Sequence, residues 1–389
     1  MRLAMNRIII FESATDSLRT FARLMAEGFQ EIGYQVLMTD MNREMQTRTD
    51  IYAFAESGNT AALFFNHAGL NLLTESRASI WNELEIDCYD FIVDHPMYYH
   101  AALIFPIQKL TFLCVDEYHQ KFIERFYPGR VRSFFLPLAG IRCEEIQIPF
   151  KERSMDILFT GAYLIDNDLE YHVQGLGEGL RQIWLACYQL LCDQTFLTLE
   201  QAVEICLKQR GLSLPEEDLR DTIRLFQDMD GMLRSHARAE VIRTLANQDI
   251  KVHIYGEGWQ FLDCKQENLI LHDRIPFDET IPLIADSRIV LNVIPWFKSG
   301  VHDRVYSAML NGCVSLTDSS EYLNRTLQDG EQALLYSLDY LEQLPEKVKK
   351  YLEAPEILQQ IARRGYEYAK ATQTWQYRAK QLAEIIEKG

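Results

Sequence analysis

The feature that most constrains the fold is the alternation of short apolar segments with helical segments over the first 140 residues. Residues 7–11 (RIIIF) form an apolar run bounded by polar residues, and residues 13–32 then follow a helical period that ends before Gly33. Further strands are predicted at 34–38, 61–65, 91–93, 110–115 and 131–136. Strands that alternate with helices form parallel βαβ units, so this pattern predicts a doubly wound parallel sheet.

A second α/β domain is predicted after residues 137–149, which contain Gly140 and two prolines and have the composition of a linker. Its strands are predicted at 155–160, 251–255, 269–271, 289–293 and 314–317. The segment of about 165–247 carries apolar residues at helical spacing and predicts a helical insertion. The predicted organisation is therefore an N-terminal domain at 1–140, a second domain at 150–370 and a C-terminal helix within 371–389.

Charge and cysteine usage exclude several classes of function. The formal net charge of -17 argues against a nucleic-acid partner, because neutralising phosphates requires clustered Lys and Arg. The 8 cysteines form no CxxC pair and mostly lie among apolar residues, as expected for buried, reduced thiols. No segment has the length and apolarity of a signal core or a membrane span. These observations predict a cytoplasmic protein.

The polar residues that directly follow the strands are the first candidates for a site, because ligands bind outside the carboxyl ends of strands in doubly wound sheets. In the N-terminal domain these positions are Glu12, Asn66, His67, Asp94, His95, Asp116 and His119. Asp94 and His95 are predicted to position a bound ligand or to act as a base toward a hydroxyl. They also fit a polar strand end at which Pro96 begins a helix.

Four other residues of the N-terminal domain fit either a functional or a structural role. Glu12 and Asp16 fit an acceptor-side base, and Asp16 equally fits an ordinary residue in the first turn of a helix. His67 and His119 are more typical of structural histidines with satisfied hydrogen bonds.

Residues 289–318 are the most informative segment of the chain. They predict a strand, a polar loop that holds Lys298, Gly300, His302 and Arg304, a helix that ends at Gly312, and a second strand. A helix N-terminus attracts anions, and three basic side chains beside it predict a diphosphate site. A surface loop with incidental basic residues is the alternative.

The run from Arg304 to Val314 (RVYSAMLNGCV) resembles the R-x-F/Y-E-A-x-A-x-G block of bacterial GT-B glycosyltransferases, in particular the CgeB-like branch of the family-4-type enzymes. Residues 155–161 (MDILFTG), 252–259 (VHIYGEGW) and 275–285 resemble further segments of that group in the same order. The resemblance covers residue 155 to the C-terminus apart from the helical insertion, and the first 150 residues match in pattern only.

The resemblance implies an α/β GT-B fold, with two Rossmann-like domains facing a cleft and a helix near Trp375 that crosses back to the first domain. It implies transfer of a sugar from a UDP- or GDP-linked donor with retention of configuration and no further cofactor. Arg304 and Lys298 would stabilise the leaving group. The implied donor-binding residues are Gly161, Tyr255, Gly256, Glu257, Gly258, Ile275, Pro276, Lys298, Gly300, His302, Arg304 and Ser307.

The sequence departs from the family pattern at two places. Ser307 stands where the family has a Glu that binds the ribose hydroxyls, and the usual Arg and Lys do not follow Gly161. Asp228 and Asp230 have the spacing of a DxD motif but lie in the helical stretch, so we expect a metal-independent reaction in which cations and a helix N-terminus stabilise the diphosphate.

Two other functions remain open at this point. A nucleotide-sugar epimerase or hydrolase would turn over without an added acceptor. A non-catalytic partner subunit of the same fold would account for Ser307 and for the helical insertion, which is suited to binding an acceptor protein or a second copy of the chain. The sequence leaves open whether the acceptor is a protein, a glycan or a small molecule.

Overall fold

A computed structural model describes residues 6–42, 44–56, 58–146, 148–164 and 169–388. The chain divides into two compact units. The first unit runs to Ala139 and includes the chain again from Thr372, and the second unit spans Gly140–Ala371.

The first unit is built on a six-stranded parallel sheet with the strand order β2-β1-β3-β4-β5-β6. Its strands are β1 (Arg7–Phe11), β2 (Gln35–Thr39), β3 (Thr60–Phe65), β4 (Asp87–Ile92), β5 (Leu110–Cys114) and β6 (Arg132–Phe135). Its helices before the second unit are α1 (Asp16–Glu31), α2 (Glu44–Ala55), α3 (Ile80–Glu83), α4 (His100–Leu103) and α5 (Glu117–Phe126). The order reverses between β1 and β3, which places a topological switch point at the carboxyl ends of these two strands.

The second unit contains another six-stranded parallel sheet, with the order β12-β11-β10-β7-β8-β9. Its strands are β7 (Met155–Thr160), β8 (Val252–Tyr255), β9 (Leu269–His272), β10 (Ser287–Asn292), β11 (Val314–Asp318) and β12 (Leu334–Tyr336). Its helices are α6 (Leu169–Val173), α7 (Glu178–Asp193), α8 (Leu199–Gln209), α9 (Glu216–Leu225), α10 (Met229–Asn247), α11 (Phe277–Ala285), α12 (Asp303–Leu310), α13 (Glu321–Thr326), α14 (Leu344–Leu352) and α15 (Pro355–Thr372). The switch point of this sheet lies between β7 and β10.

The last helix, α16 (Trp375–Lys388), packs against α1 within the first unit. Trp375 is fully buried and stacks on Phe21 with ring centroids 4.7 Å apart. A Cβ on Gly28 would lie 2.8 Å from the Cβ of Ala379, so the glycine is needed for the close approach of the two helices. The buried Arg378 guanidinium donates to the carbonyl oxygens of Pro137 and Leu138, which ties the helix to the segment after β6.

The strands that the sequence predicts are confirmed, whereas the short β12 was missed because three residues give too little periodicity. The five helices α6–α10 occupy the region of the predicted insertion, whose first residues, 165–168, lie outside the described residues. All 8 cysteines are free thiols, and six of them are buried. In the part of the chain that the structure describes, no helix has both the length and the apolarity needed to cross a membrane.

Candidate functional site

The carboxyl edge of the second sheet is organised around Arg304, the second residue of α12. Its Nε donates to Thr160 Oγ1 at 3.0 Å, and its Nη1 donates to Asn292 Oδ1 at 2.9 Å. Thr160 ends β7 and Asn292 ends β10, so the guanidinium lies at the switch point of the sheet. An arginine has five N–H donors, and the remaining ones stay available to an anion there.

A second guanidinium, that of Arg238 on α10, lies close enough to Arg304 to repel it. Burial, followed by the charges of Arg304 and Arg234, lowers the pKa of Arg238 to about 10. Arg238 donates to the carbonyl oxygen of Ala162 at 3.3 Å. Within the described ranges neither Arg238 nor Arg304 forms an ion pair, whereas Arg234 pairs with Asp230 at 2.6 Å. Two adjacent guanidiniums without carboxylate partners form a site suited to a doubly charged anion.

One carboxylate whose charge acts on both guanidiniums is that of Asp318 at the end of β11. Both of its oxygens accept from the backbone N–H of Ile294, at 3.1 and 3.0 Å. Burial raises the pKa of Asp318 to about 6, although these hydrogen bonds oppose the shift. Its negative charge favours the charged forms of Arg304 and Arg238, yet burial makes that charge costly, so Asp318 balances the two cations only weakly.

The loop before α12 holds three of the predicted donor residues, and the structure gives each a defined set of contacts. The Lys298 ammonium donates to the carbonyl oxygens of Thr195 and Pro295, which ties the loop to the segment after α7. Gly300 is buried, and its carbonyl oxygen accepts from Ser320 Oγ at 2.7 Å. These contacts show that Lys298 and Gly300 hold the loop in place.

His302 precedes α12 at its N-cap position. Its Nδ1 lies 3.2 Å from the backbone N of Arg304 and 2.9 Å from Asp303 Oδ1. Burial lowers the pKa of His302, and the Arg304 charge lowers it further, against the opposing effect of Asp303. The contacts of Nδ1 with Arg304 N and with Asp303 hold the His302 ring at the N-terminus of α12.

The predicted glycine turns after β7 and β8 pack directly against each other. A Cβ on Gly256 would lie 2.2 Å from the carbonyl oxygen of Gly161, and a Cβ on Gly258 would lie 2.1 Å from that of Tyr163. Tyr163 N also donates to Glu257 O at 2.9 Å. The glycines therefore allow two turns of the protein to approach each other, whereas the resemblance implies that they line a nucleotide cleft.

The remaining predicted donor residues lie after β8 and β9. The Tyr255 ring stacks on His272 with centroids 4.1 Å apart and an interplanar angle of 6°. Ile275 and Pro276 lie between His272 and α11, with Ile275 half-buried and Pro276 exposed. These residues lie at the carboxyl ends of neighbouring strands, which is compatible with the base-binding role that the resemblance implies.

Ser307, which is predicted to bind the donor, has packing contacts in the structure. Its side chain is fully buried, and its hydroxyl accepts a hydrogen bond from the backbone N of Ile141 at 3.0 Å. A Cβ on the neighbouring Gly140 would lie 2.4 Å from the carbonyl carbon of Tyr306. The segment at 140–143 therefore covers the position at which the family has a ribose-binding Glu, and the structure gives Ser307 a packing role.

In the first unit, Asp94 belongs to a hydrogen-bonded network at the end of β4. Its Oδ2 accepts from Tyr99 OH at 2.8 Å and from Asn66 Nδ2 at 3.2 Å. Asn66 Oδ1 in turn accepts from Val93 N at 3.0 Å. Burial, together with the Asp94 charge, raises the pKa of Tyr99 well above its usual range, so the tyrosine stays a donor to the carboxylate.

His95 does not have the exposure expected of a catalytic residue. Only 4% of it is exposed, and its Nδ1 accepts from Met97 N at 3.1 Å, which caps the short 3-10 helix at Pro96–Tyr99. Its ring packs on His119 and Phe122, each 4.8 Å away between centroids. Burial lowers the pKa of His119 well below its usual range. Both histidines therefore belong to the packed interior, and the catalytic role of His95 stays a prediction.

His67, which the sequence predicts to be a structural histidine, is partly exposed and contacts a buried carboxylate, unlike His95. Its Nδ1 lies 3.1 Å from Asp90 Oδ2, and its backbone N donates to Asp90 Oδ1 at 2.9 Å. Asp90 is fully buried, whereas the His67 side chain is 31% exposed. His67 and the preceding Asn66 both have left-handed backbones, with φ of 52° and 47°. Such conformations are strained for residues other than glycine and are enriched at functional sites.

The other acidic candidates have local partners. Glu12 forms a two-point ion pair with Arg23 at 3.0 and 3.1 Å, and Asp16 pairs with Arg19 at 3.3 Å. Asp228 lies 2.7 Å from His172, and Asp230 pairs with Arg234, so the two residues of the DxD-like spacing face different partners. No group of three or more metal-ligating side chains occurs among the described residues.

Sequence reasoning missed Arg238 and the contact of His67 with Asp90, because both depend on packing between elements that are far apart in the chain. Arg238 lies on a helix without strand or loop signals. It is far along the chain from the Gly161 turn, after which the family has a basic residue. An available signal was the pair Arg234 and Arg238, one helical turn apart. For His67 the signal was Asp90, a carboxylate inside an apolar strand, because a buried charge requires a partner.

Comparison with known proteins identifies the fold. Residues 220–384 match the profile of a family described as glycosyl transferase-like. No curated protein sequence matches this chain significantly.

Solved structures of similar fold cover nearly the whole chain. An alpha-glucosyltransferase in complex with UDP-glucose and DNA containing an abasic site has a TM-score of 0.55 and 10% identity, and the match covers 98% of this chain and 99% of that one. Sucrose-phosphate synthase from Thermosynechococcus elongatus has a TM-score of 0.51 and 9% identity, with 98% of each chain covered. A glycosyltransferase from Rickettsia africae ESF-5 has a TM-score of 0.50 and 9% identity, with 99% of each chain covered.

The fold of this chain is thus that of the GT-B glycosyltransferases, and its C-terminal part matches a glycosyl transferase-like family. The prediction of a glycosyltransferase of the GT-B type, an enzyme that transfers sugars, is confirmed. The cleft between two facing domains stays a prediction. The role of each predicted residue in donor binding also stays a prediction.

Proposed function

We propose that this glycosyltransferase takes its sugar from a nucleotide-diphosphate donor, and that Arg304 and Arg238 bind the diphosphate. The observation that carries the proposal is the pair of neighbouring guanidiniums without carboxylate partners at the switch point of the second sheet. A ligand with two phosphates would relieve the repulsion between the two cations. Arg238 then supplies, from α10, the positive charge that the sequence lacks after Gly161.

The same arrangement supports a metal-independent reaction. When the bond from the anomeric carbon to the diphosphate breaks, negative charge develops on the leaving phosphate oxygens. Preorganised guanidiniums and the N-terminus of α12 would stabilise that charge without a divalent cation. The UDP-glucose bound to one of the solved structures of similar fold supports a UDP-linked donor. The acceptor is a hydroxyl of a protein, a glycan or a small molecule, and the resemblance implies retention at the anomeric carbon.

Thermal unfolding with UDP, GDP and their glucose and mannose conjugates tests this proposal. A ligand at about 100-fold excess over its dissociation constant stabilises the native state by about 2.7 kcal/mol. We expect one nucleotide diphosphate to raise the melting temperature of the wild type and of Arg243→Gln, and to leave Arg238→Gln unchanged. Arg243 is a matched control, because it lies on the same helix but pairs with Glu240. Equal shifts in all three proteins would exclude Arg238 from the site.

A further inference from the structure

A pocket of about 390 Å³ lies within the second unit, between helices of the predicted insertion and the loop before α12. Its volume falls in the range of small-molecule sites, whereas voids in a packed interior seldom exceed the size of a water molecule. Four segments form its walls, namely α7, α10, the loop before α12 and the 3-10 helix Leu338–Gln343. The apolar side chains that line it include Leu191, Leu233, Ala237, Trp296, Leu338 and Leu341.

The two charged side chains in the lining already have protein partners. The Lys298 ammonium donates to the carbonyl oxygens of Thr195 and Pro295. Glu240 forms an ion pair with Arg243, one turn further along α10. A charged ligand would have to break these contacts or leave its own charge without a partner, and both are costly. The lining therefore favours an uncharged ligand.

Two exposed aromatic side chains lie beside lining residues in the chain. Phe196 follows Thr195 and is 64% exposed, and Tyr340 precedes Leu341 and is 60% exposed. The segments that carry them lie side by side, because Thr195 N and Oγ1 both donate to Asp339 Oδ1, at 3.2 and 2.8 Å. Large apolar side chains left in solvent next to an apolar pocket are more typical of a binding surface than of a packed one.

The neutral groups of the lining are consistent with the same class of ligand. Burial raises the pKa of the Cys192 thiol to about 11, so this thiol is uncharged at neutral pH. His236 lies at the exposed side of the lining, where water can solvate its ring. An apolar molecule that fills the pocket would thus leave every polar group of the wall with its present partner or with solvent.

We propose that this pocket binds an uncharged, mainly apolar small molecule at a site separate from that of the diphosphate. Neither Arg238 nor Arg304 belongs to the lining that the described residues form. The proposal goes beyond the function proposed above and does not depend on it. It also gives the helical insertion a role, because α7 and α10 supply one side of the site.

The dye N-phenyl-1-naphthylamine is a suitable probe, because it is uncharged, mainly apolar and strongly fluorescent only out of water. Fluorescence titration should show a saturable dye site on the wild-type full chain. Ala237→Phe and Leu341→Trp fill the pocket from two different walls. We expect each to weaken dye binding by at least about 10-fold, because the new ring takes the volume that the dye needs.

Ala186→Phe is the matched control, because Ala186 is half-buried on α7 and does not line the pocket. It should bind the dye as the wild type does. Thermal unfolding shows whether each variant is folded, and the dye should raise the melting temperature of the wild type and of Ala186→Phe only. If one filling variant does not fold, the other decides.

Filling variants that fold and keep the wild-type affinity for the dye would overturn the proposal, as would a wild type without a saturable dye site. Arg304→Gln should still bind the dye. Loss of dye binding in folded Arg304→Gln would show that the pocket and the diphosphate site are one. Because this titration contains no nucleotide, failure of the proposed donor site would leave its result unchanged.

Discussion

The two sheets have nearly the same architecture but opposite chemistry at their carboxyl edges. The edge of the second sheet brings together two guanidiniums, Arg238 and Arg304, held by neutral partners. The edge of the first sheet brings together carboxylates, a histidine and a tyrosine, with Asp90 on His67 and Asp94 on Tyr99. The same topology thus carries a cationic edge in one unit and an edge of carboxylates, a histidine and a tyrosine in the other. Function follows from the side chains at the strand ends and not from the fold alone.

The two edges also obtain their sharp turns in different ways. In the second unit, glycines at 161, 256 and 258 allow two neighbouring turns to pack backbone against backbone. In the first unit, Asn66 and His67 adopt left-handed backbones despite their side chains, which is unfavourable by roughly 1–2 kcal/mol per residue. The first unit therefore accepts local strain at Asn66 and His67, where the second unit relies on glycine.

The largest expected effect comes from filling a glycine turn of the second edge. Gly258→Ala would place a Cβ 2.1 Å from the carbonyl oxygen of Tyr163 at a φ of 90°, so we expect the free energy of unfolding to fall by about 3 kcal/mol or more. Denaturant unfolding measures this change. Gly231→Ala is the control, because nothing lies within 4 Å of its added Cβ inside α10, and it should be neutral or stabilising. Equal effects of the two substitutions would contradict the close packing of the turns.

The next effect concerns the buried carboxylate of Asp318, whose charge acts on both guanidiniums. The folded-state pKa of Asp318 is raised to about 6 from its usual value of 3.8, so its protonation favours the folded state. Its stabilising contribution is complete below about pH 4 and is lost as the pH rises through about 6. The shift corresponds to the order of 2–3 kcal/mol between these limits. Asp318→Asn should flatten this part of the stability curve, and an unchanged curve would show that Asp318 ionises as it does in water.

The smallest of these effects tests the packing role of Ser307. Ser307→Ala removes the acceptor for Ile141 N and should lower the free energy of unfolding by about 1–2 kcal/mol. Ser315→Ala is the control, because that hydroxyl is equally buried and has no hydrogen-bond partner among the described residues. Calorimetric unfolding of both variants gives the comparison. Affinity for UDP should be unchanged in Ser307→Ala, and a large loss of UDP affinity would restore Ser307 to the donor site.

Sequence patterns predicted the strands, the domain order and the loop before α12, because these depend on local periodicity and on residues close together in the chain. The contacts of Arg304 with Thr160, 144 positions away, could not be predicted in this way. The pairing of His67 with Asp90 spans 23 positions and two strands, and it depends on register and on a strained backbone. The family resemblance implies a basic residue after Gly161, which this chain lacks, whereas tertiary packing brings Arg238 to that place from another element.

The most direct test of the account is calorimetric titration of UDP against UMP, and of GDP against GMP, on the wild type, Arg238→Gln and Arg304→Gln. If the guanidinium pair binds a diphosphate, the wild type should bind one diphosphate at least about 10-fold more tightly than its monophosphate, or about 1.4 kcal/mol. Each variant should lose most of that preference. A preference that both variants retain would show that the diphosphate binds elsewhere and would contradict the division of chemistry between the two edges.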